Sequence, residues 1–154
     1  MRRMQIREDD LTGPEITDFL REHLTEMREI TPPESVHALD LTALRSPDIT
    51  FWSAWLDDQL LGCGALKELD LKTGEIKSMR TARTYRGRGI GSQLLEHIIQ
   101  VAEQRAYDCL YLETGAMLEF APARSLYLRY GFEYRGPFGT YVADPNSVFM
   151  AKQL

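Results

Sequence analysis

The segment Tyr85-Arg86-Gly87-Arg88-Gly89-Ile90-Gly91-Ser92 interleaves glycines with arginines just ahead of a stretch of helical apolar spacing. A glycine has no Cβ, so the backbone can approach a ligand closely, and the N–H groups of a turn and of a helix N-terminus converge there on an anion. Lys77, Arg80, Arg83, Arg86 and Arg88 place five of the 18 basic residues within twelve positions, against about 1.4 for an even spread, and no acid lies between Glu75 and Glu96. This pattern points to a bound group carrying phosphate.

Three phosphate loops compete for it. A Walker loop needs Gly-Lys-Ser/Thr after its glycines, and Gly91-Ser92-Gln93 supplies no lysine to reach a terminal phosphate. A dinucleotide fingerprint fits better, since Gly87, Gly89 and Gly91 are followed by Ser92 at the last glycine position and Glu113 falls 21 residues later, near the spacing of a ribose-binding acid. Context opposes it, because that fold opens with its fingerprint whereas here several strands come first.

The elements that must position the loop can be read from periodicity. Residues 4–7 form a short strand candidate. Residues 14–30 read as a helix opened by Pro14, with Ile16, Phe19, Leu20, Leu24 and Met27 at helical spacing. Residues 33–44 read as a second, shorter helical piece. Three strand-like runs, 50–56, 59–69 and 75–81, follow with only hairpin-length connections, which predicts an antiparallel meander. Then come the glycine-rich turn, a helix carrying Ile90, Leu94, Ile98, Val101 and Ala102, and a strand at 108–114, together a β-turn-α-β unit. A helix at 122–130 and strands at 132–134 and 147–151 close the chain. The fold class is therefore α/β, with a mixed, partly antiparallel central sheet flanked by helices.

The chain has 154 residues and a formal charge of −5, the size of one domain. An acidic chain is a poor candidate for coating nucleic acid or an anionic membrane. Polar residues Gln5 to Asp10 follow the basic start where a signal peptide would turn apolar, and no window approaches a membrane span, so a cytoplasmic location is expected. Cys63 and Cys109 make no metal-binding pattern and read as buried thiols. Trp52 and Trp55 point to opposite faces of one strand, as core or as an interface, which leaves a homodimer open.

Two motifs together carry a resemblance to a known family. Arg86-Gly87-Arg88-Gly89-Ile90-Gly91 is similar to the Gln/Arg-x-x-Gly-x-Gly/Ala loop of the GNAT family of N-acetyltransferases, and Ala123-Arg124-Ser125-Leu126-Tyr127-Leu128-Arg129-Tyr130-Gly131-Phe132 resembles its second signature, A-x-x-L-Y-x-x-x-G-F. The order of elements also matches that family over nearly the whole chain. Pro33 to Asp40, Leu112-Glu113-Thr114-Gly115 and Asp144 to Met150 resemble a bacterial subgroup acting on small molecules. The resemblance implies a single N-acetyltransferase domain over residues 1–154, acetyl-CoA as cosubstrate, no metal, and a small-molecule primary amine such as an amino acid or polyamine as acceptor. A silent acyl-CoA-binding module and a protein N-acetyltransferase are the alternatives.

The resemblance also implies roles. Backbone N–H groups from Arg86, Gly87, Arg88, Gly89, Ile90, Gly91 and Ser92 would surround the pyrophosphate. Met79, Arg80 and Thr81 on the preceding strand would meet the pantetheine arm, with the Met79 N–H facing the oxyanion. Tyr127 would protonate the departing thiolate and Glu75 would act as base, since an alkyl amine with pKa near 10.4 is mostly ammonium at pH 7. Phe120 stands where many members place an Asn that contacts the arm. Simple strand alternation puts Glu75, Lys77 and Met79 on one face and Ile76, Ser78 and Arg80 on the other. The acceptor would enter between 22–40 and 135–147, past Glu22, Glu26, Glu29, Glu34, Asp40 and Asp144, with Arg135 and His37 holding a carboxylate. Asp18, Glu22 and Glu26 read as a solvated helix face, His97 as exposed, and His23 and His37 as candidates for the border of the acceptor pocket.

Overall fold

The strand-forming segments join in one seven-stranded sheet in a computed structural model, which describes residues 3–35 and 41–154. The strands are β1 (Gln5–Glu8), β2 (Ile49–Leu56), β3 (Gln59–Glu68), β4 (Thr73–Thr81), β5 (Cys109–Gly115), β6 (Glu133–Arg135) and β7 (Ser147–Gln153), in spatial order β1-β2-β3-β4-β5-β7-β6. The helices are α1 (Pro14–Ile30), α2 (Leu41–Leu44), α3 (Ile90–Gln104) and α4 (Ala121–Arg129). The predicted meander and β-turn-α-β unit both form. Of the second helical piece predicted at 33–44, the described parts are a 3₁₀ turn at Pro33–Ser35 and α2; residues 36–40, with His37 and Asp40, lie outside the described residues. A 3₁₀ turn at Leu118–Phe120 went unpredicted, being too short to leave a periodicity.

Every neighbouring pair of strands is antiparallel except β4 and β5, which run parallel and pair only from Thr73–Ile76 to Cys109–Leu112. Beyond Ile76 the two strands part. From there to Thr81, β4 keeps β3 on one side and, among the described residues, has no strand on the other.

Apolar side chains cover both faces. On one, Leu94, Leu95, Ile98, Ile99 and Ala102 of α3 recur at helical spacing and pack on Trp52, Leu66, Ile76, Leu110, Leu112 and Met150, joined by Tyr127 of α4 and Phe132. On the other, Ile16, Phe19 and Leu20 of α1 and Leu44 of α2 pack on Phe51, Cys63 and Ala65. Burying one such aliphatic or aromatic side chain is worth about 1.5–3 kcal/mol, so these stripes fix which face each helix takes. His97, expected to be exposed, is half-buried with its ring edge-on to Trp52, because α3 packs closely enough on β2 to cover it.

One irregularity corrects the expected alternation in β4. Register runs Ala65↔Lys77 and then Cys63↔Arg80, so Gly64 faces two residues of β4 where a regular ladder would have one. Ser78 takes up the extra residue at φ +57, a left-handed conformation that costs a non-glycine residue about 1–2 kcal/mol. Its carbonyl accepts a hydrogen bond from the Cys63 thiol at 3.2 Å. The bulge moves Met79 to the α3 face beside Ile76, and puts Arg80 on the α1 face with Glu75 and Lys77. Beside it a Cβ on Gly62 would lie 2.6 Å from the Arg80 carbonyl oxygen, so only glycine lets β3 run this close.

Candidate active site

The glycine-rich turn leads from the 3₁₀ turn at Arg83–Tyr85 into α3. Gly87 and Gly89 hold φ +79 and +82, and a Cβ at either would meet nothing within 4 Å, so the surface they offer is open backbone. Gly89 caps α3. The first intrahelical bond runs from Gln93 N–H to Gly89 at 3.1 Å, which leaves the N–H groups of Ile90, Gly91 and Ser92 without helical partners. The Ile90 side chain is buried against Ala54, Leu61 and Leu94, so its contribution here is its backbone. A positive helix end, open glycines and exposed arginines are the parts an anion needs, and they fit a pyrophosphate.

The five basic residues that crowd together in sequence divide in space. Arg86 and Arg88 stay at the loop, Arg86 half-exposed and Arg88 with its guanidinium 5.4 Å from the Tyr85 ring centroid. Arg80 turns inward, 7% exposed, over the ring of Phe19. Its side chain is therefore withdrawn from the loop, and only its backbone faces the gap beside β4. The acid-free stretch of sequence is also supplied with an acid from elsewhere: Glu26 of α1 accepts from Arg80 at 2.5 Å and from Arg83, and lies 3.6 Å from Arg86. Hydrogen bonds from Arg80 and then Arg83 hold the Glu26 carboxyl down at about 2. Asp18 and Glu22 are exposed as expected, whereas Glu26 is an internal counter-ion.

Where β4 and β5 part, a cavity of about 110 Å³ opens. Glu75, Lys77, Ser78 and Met79 of β4 line it, with Glu113 to Gly115 of β5, Phe120 and Tyr127 at α4, His23 and Met27 of α1, and Tyr141 from the loop between β6 and β7. Glu75 and Tyr127, separated by 52 positions in sequence, share this wall. Glu75 is 4% exposed, and its Oε2 accepts from the Lys77 ammonium at 3.0 Å and from the Tyr141 hydroxyl at 2.7 Å. Lys77 also donates to the Tyr141 oxygen at 2.9 Å. Burial and the Glu75 carboxylate push the Tyr141 phenol well above its usual range, so it stays protonated. Tyr127 is raised likewise, by burial first and by Glu113 second. Burial, with Arg80 nearby, brings His23 down to about 4, so the imidazole is neutral at pH 7.

Two parts of this wall had little signal in the sequence. Tyr141 sits in a connecting loop without periodicity, held by ring contacts with Phe138 and Phe149. Met27 reaches the cavity from α1, a helix that the glycine motif does not mention, and His23 beside it is a histidine expected at the acceptor border. Phe120 lays its ring on Gly115, where a Cβ would come within 2.1 Å of it, so this side of the cavity is apolar. The expected acid entrance is partly rearranged: Asp144 accepts from Ser35 at 2.5 Å, and Arg135 lies over the Tyr111 ring at 5.0 Å. Among the described residues no group of three His, Cys, Asp or Glu is placed to hold a metal ion, and no helix is long and apolar enough to cross a membrane.

Comparison with known proteins agrees with this geometry. Residues 14–132 match the family described as Acetyltransferase (GNAT) family. The chain is 56% identical over 151 residues to the uncharacterized N-acetyltransferase YsnE of Bacillus subtilis, covering 98% of this chain and 100% of that protein. It is 42% identical over 127 residues to an IAA acetyltransferase of Azospirillum brasilense, covering 82% of each. Among solved structures, the PaiA N-acetyltransferase of Thermoplasma acidophilum in complex with coenzyme A superposes with a TM-score of 0.75 at 17% identity, covering 99% of both chains, which is a likeness of fold.

Proposed function

Because the chain belongs to the GNAT family of acetyltransferases, we propose that it moves the acetyl group of acetyl-CoA to the primary amine of a small molecule, by direct attack through a tetrahedral intermediate. The observation that carries this reading is the juxtaposition of the open glycine turn with a small polar cavity at the parting of β4 and β5. The relative named for IAA acetylation is named for a small molecule, which favours the same class here.

In this reading Gly87 to Ser92 present backbone N–H groups to the pyrophosphate, with Arg86 and Arg88 adding charge. The unpaired edge of β4, at Met79 and Thr81, accepts the amide-rich arm as a further strand would be accepted. The Met79 N–H, beside the bulge, faces the oxyanion as the amine nitrogen bonds to the thioester carbon. Collapse breaks the C–S bond, and Tyr127 donates its proton to the leaving thiolate. A carboxylate of the cavity wall takes the ammonium proton. Net, one ammonium and one thioester give one amide, one thiol and one proton.

The acceptor enters between α1 and the loop carrying Tyr141. Among the described lining residues two carboxylates, Glu75 and Glu113, stand with one ammonium, Lys77, a set that favours an ammonium group. A cavity of this volume takes the amine end of a small molecule more readily than a folded protein surface. The test is release of free thiol from acetyl-CoA across a panel of amino acids, polyamines and a basic peptide with a blocked N-terminus, with mass detection of the product. Turnover on small amines is expected. Preference for the blocked peptide in kcat/KM, or binding with no turnover on any amine, would overturn the assignment.

A further inference from the structure

The cavity has an apolar side as well as a charged one, and the sheet shows which substrate the apolar side meets. Gly115 lies two residues beyond Glu113 on β5 and four beyond Tyr111, which is in register with Glu75, so alternation points all of them to one face. A Cβ on Gly115 would overlap the Phe120 ring, so that ring takes the place a β5 side chain would fill. Phe120 therefore stands on the α1 face, with Glu75, Lys77 and Met27. Met79 and Tyr127, by contrast, belong to the apolar cluster under α3. The α1 face is the side from which the acceptor enters.

The ring is also held from behind. Arg124 of α4 donates to the carbonyl oxygens of Gly115 at 2.7 Å and Met117 at 2.8 Å, and the Phe120 N–H donates to the Met117 carbonyl at 3.0 Å. These bonds fasten the 3₁₀ turn at Leu118–Phe120 between β5 and α4. A wall fixed in advance loses little freedom when a ligand packs on it.

We infer that Phe120 is a specificity-determining residue of the acceptor site, and that it selects a primary amine carrying an apolar group two or three bonds from the nitrogen over a polyamine. This rests on the acetyl-transfer reading above. The ammonium end lies at the carboxylates of the wall, and Gly115 is about 7 Å further along β5 than Glu113. A charge-assisted hydrogen bond takes up about 2.8 Å of that span. What is left is the length of two or three bonds before the body of the molecule reaches the ring. A polyamine meets the opposite conditions there, because its second ammonium must leave water beside an apolar wall. Facing that wall from α1 are Met27 and His23, whose Nδ1 lies 3.2 Å from the Arg80 guanidinium. Neither supplies the counter-charge that a buried ammonium needs.

The experiment measures kcat/KM at saturating acetyl-CoA for 2-phenylethylamine, 3-methylbutylamine and 1,4-diaminobutane, in the wild type, Phe120→Asn and Phe120→Leu. Ratios are compared between enzyme forms, so that differences in amine basicity cancel. The wild type is expected to favour the two apolar amines over the diamine by about tenfold. Phe120→Asn is expected to lower kcat/KM for both apolar amines by about tenfold, through KM, and to leave the diamine within about twofold. Phe120→Leu keeps an apolar wall and is expected to keep the preference; it serves if the Asn variant does not fold. A wild type that favours the diamine, equal losses on all three amines in Phe120→Asn, or loss of the preference in Phe120→Leu would each overturn the inference. So would a raised KM for acetyl-CoA with unchanged amine ratios, which would place the ring at the pantetheine arm. If the wild type acetylates no amine at all, the acetyl-transfer reading fails first, and that result is distinct.

Discussion

The cavity lies beside the middle of β4 and the glycine turn just beyond that strand's C-terminal end, and the two are built on opposite plans. The turn is contiguous, residues 86–92, solvent-facing, and made mostly of backbone whose charges are relaxed in water. The cavity is assembled from α1, β4, β5, α4 and a loop, spans His23 to Tyr141 in sequence, and holds Glu75 and Lys77 as a buried pair. A phosphate needs only donors in a row, which neighbouring residues can supply. Proton transfer needs acids and bases in a dry, shaped space, and only tertiary packing makes that. Glu26 joins the two, since it pairs with Arg83 just ahead of the turn and with Arg86 in it, while its neighbours on α1, His23 and Met27, line the cavity.

The comparison is broken most thoroughly at the turn. Arg86 is half-exposed and Arg88 exposed, so Arg86→Glu with Arg88→Glu should leave the fold intact. A ligand that binds only the folded state stabilises it, by about 2.7 kcal/mol at a hundredfold excess over Kd. Thermal melts should show that acetyl-CoA raises the wild-type Tm and leaves the double variant's Tm where it was. An undiminished rise would place the phosphates elsewhere.

Tyr127→Phe tests the other plan alone. The ring and its edge-on contact with Phe132 survive, and only the hydroxyl is lost. We expect kcat to fall by about 10²-fold with acetyl-CoA affinity unchanged, as measured by single-turnover kinetics and calorimetry. Unchanged kcat would reduce Tyr127 to a core residue.

The smallest effect lies at the bridge. A carboxylate depressed from 4.5 to about 2 by folding adds stability that is fully present above pH 4.5 and lost as pH falls towards 2. Glu26→Gln should therefore lower Tm at pH 7 by about 2–4 °C, a figure discounted for the solvent exposure of Arg83 and Arg86. The gap from wild type should close between pH 4.5 and about 2. A gap independent of pH would mean that the side chain matters by packing and not by charge.

What the sequence made legible follows the same division. The turn was readable because its glycines and arginines are consecutive, and α1 and α3 because burial of one stripe imposes helical spacing. Tyr127 and Glu75 were both reached through the family resemblance. Glu113 was noticed as an acid at ribose-binding spacing and within a run resembling a bacterial subgroup, neither of which says that it lines the cavity. Tyr141 gave no local sign, since a loop tyrosine gains its role only when Phe138 and Phe149 carry it to Glu75. The arginine cluster misled for a related reason: proximity in sequence said nothing of Glu26, which arrives from 54 residues before Arg80.

The bulge at Ser78 bears on how such chains should be compared with one another. A strand of regular pleat has no insertion, so two sequences laid side by side through β4 without a gap are assumed to share their phase. Here one added residue reverses that phase between Lys77 and Met79. A homologous chain lacking the bulge must be set against this one with a gap at 78. Without it, every position on one side of the gap would pair a cavity-facing side chain with a core-facing one, and the acceptor preferences inferred from such a pairing would be read from the wrong residues.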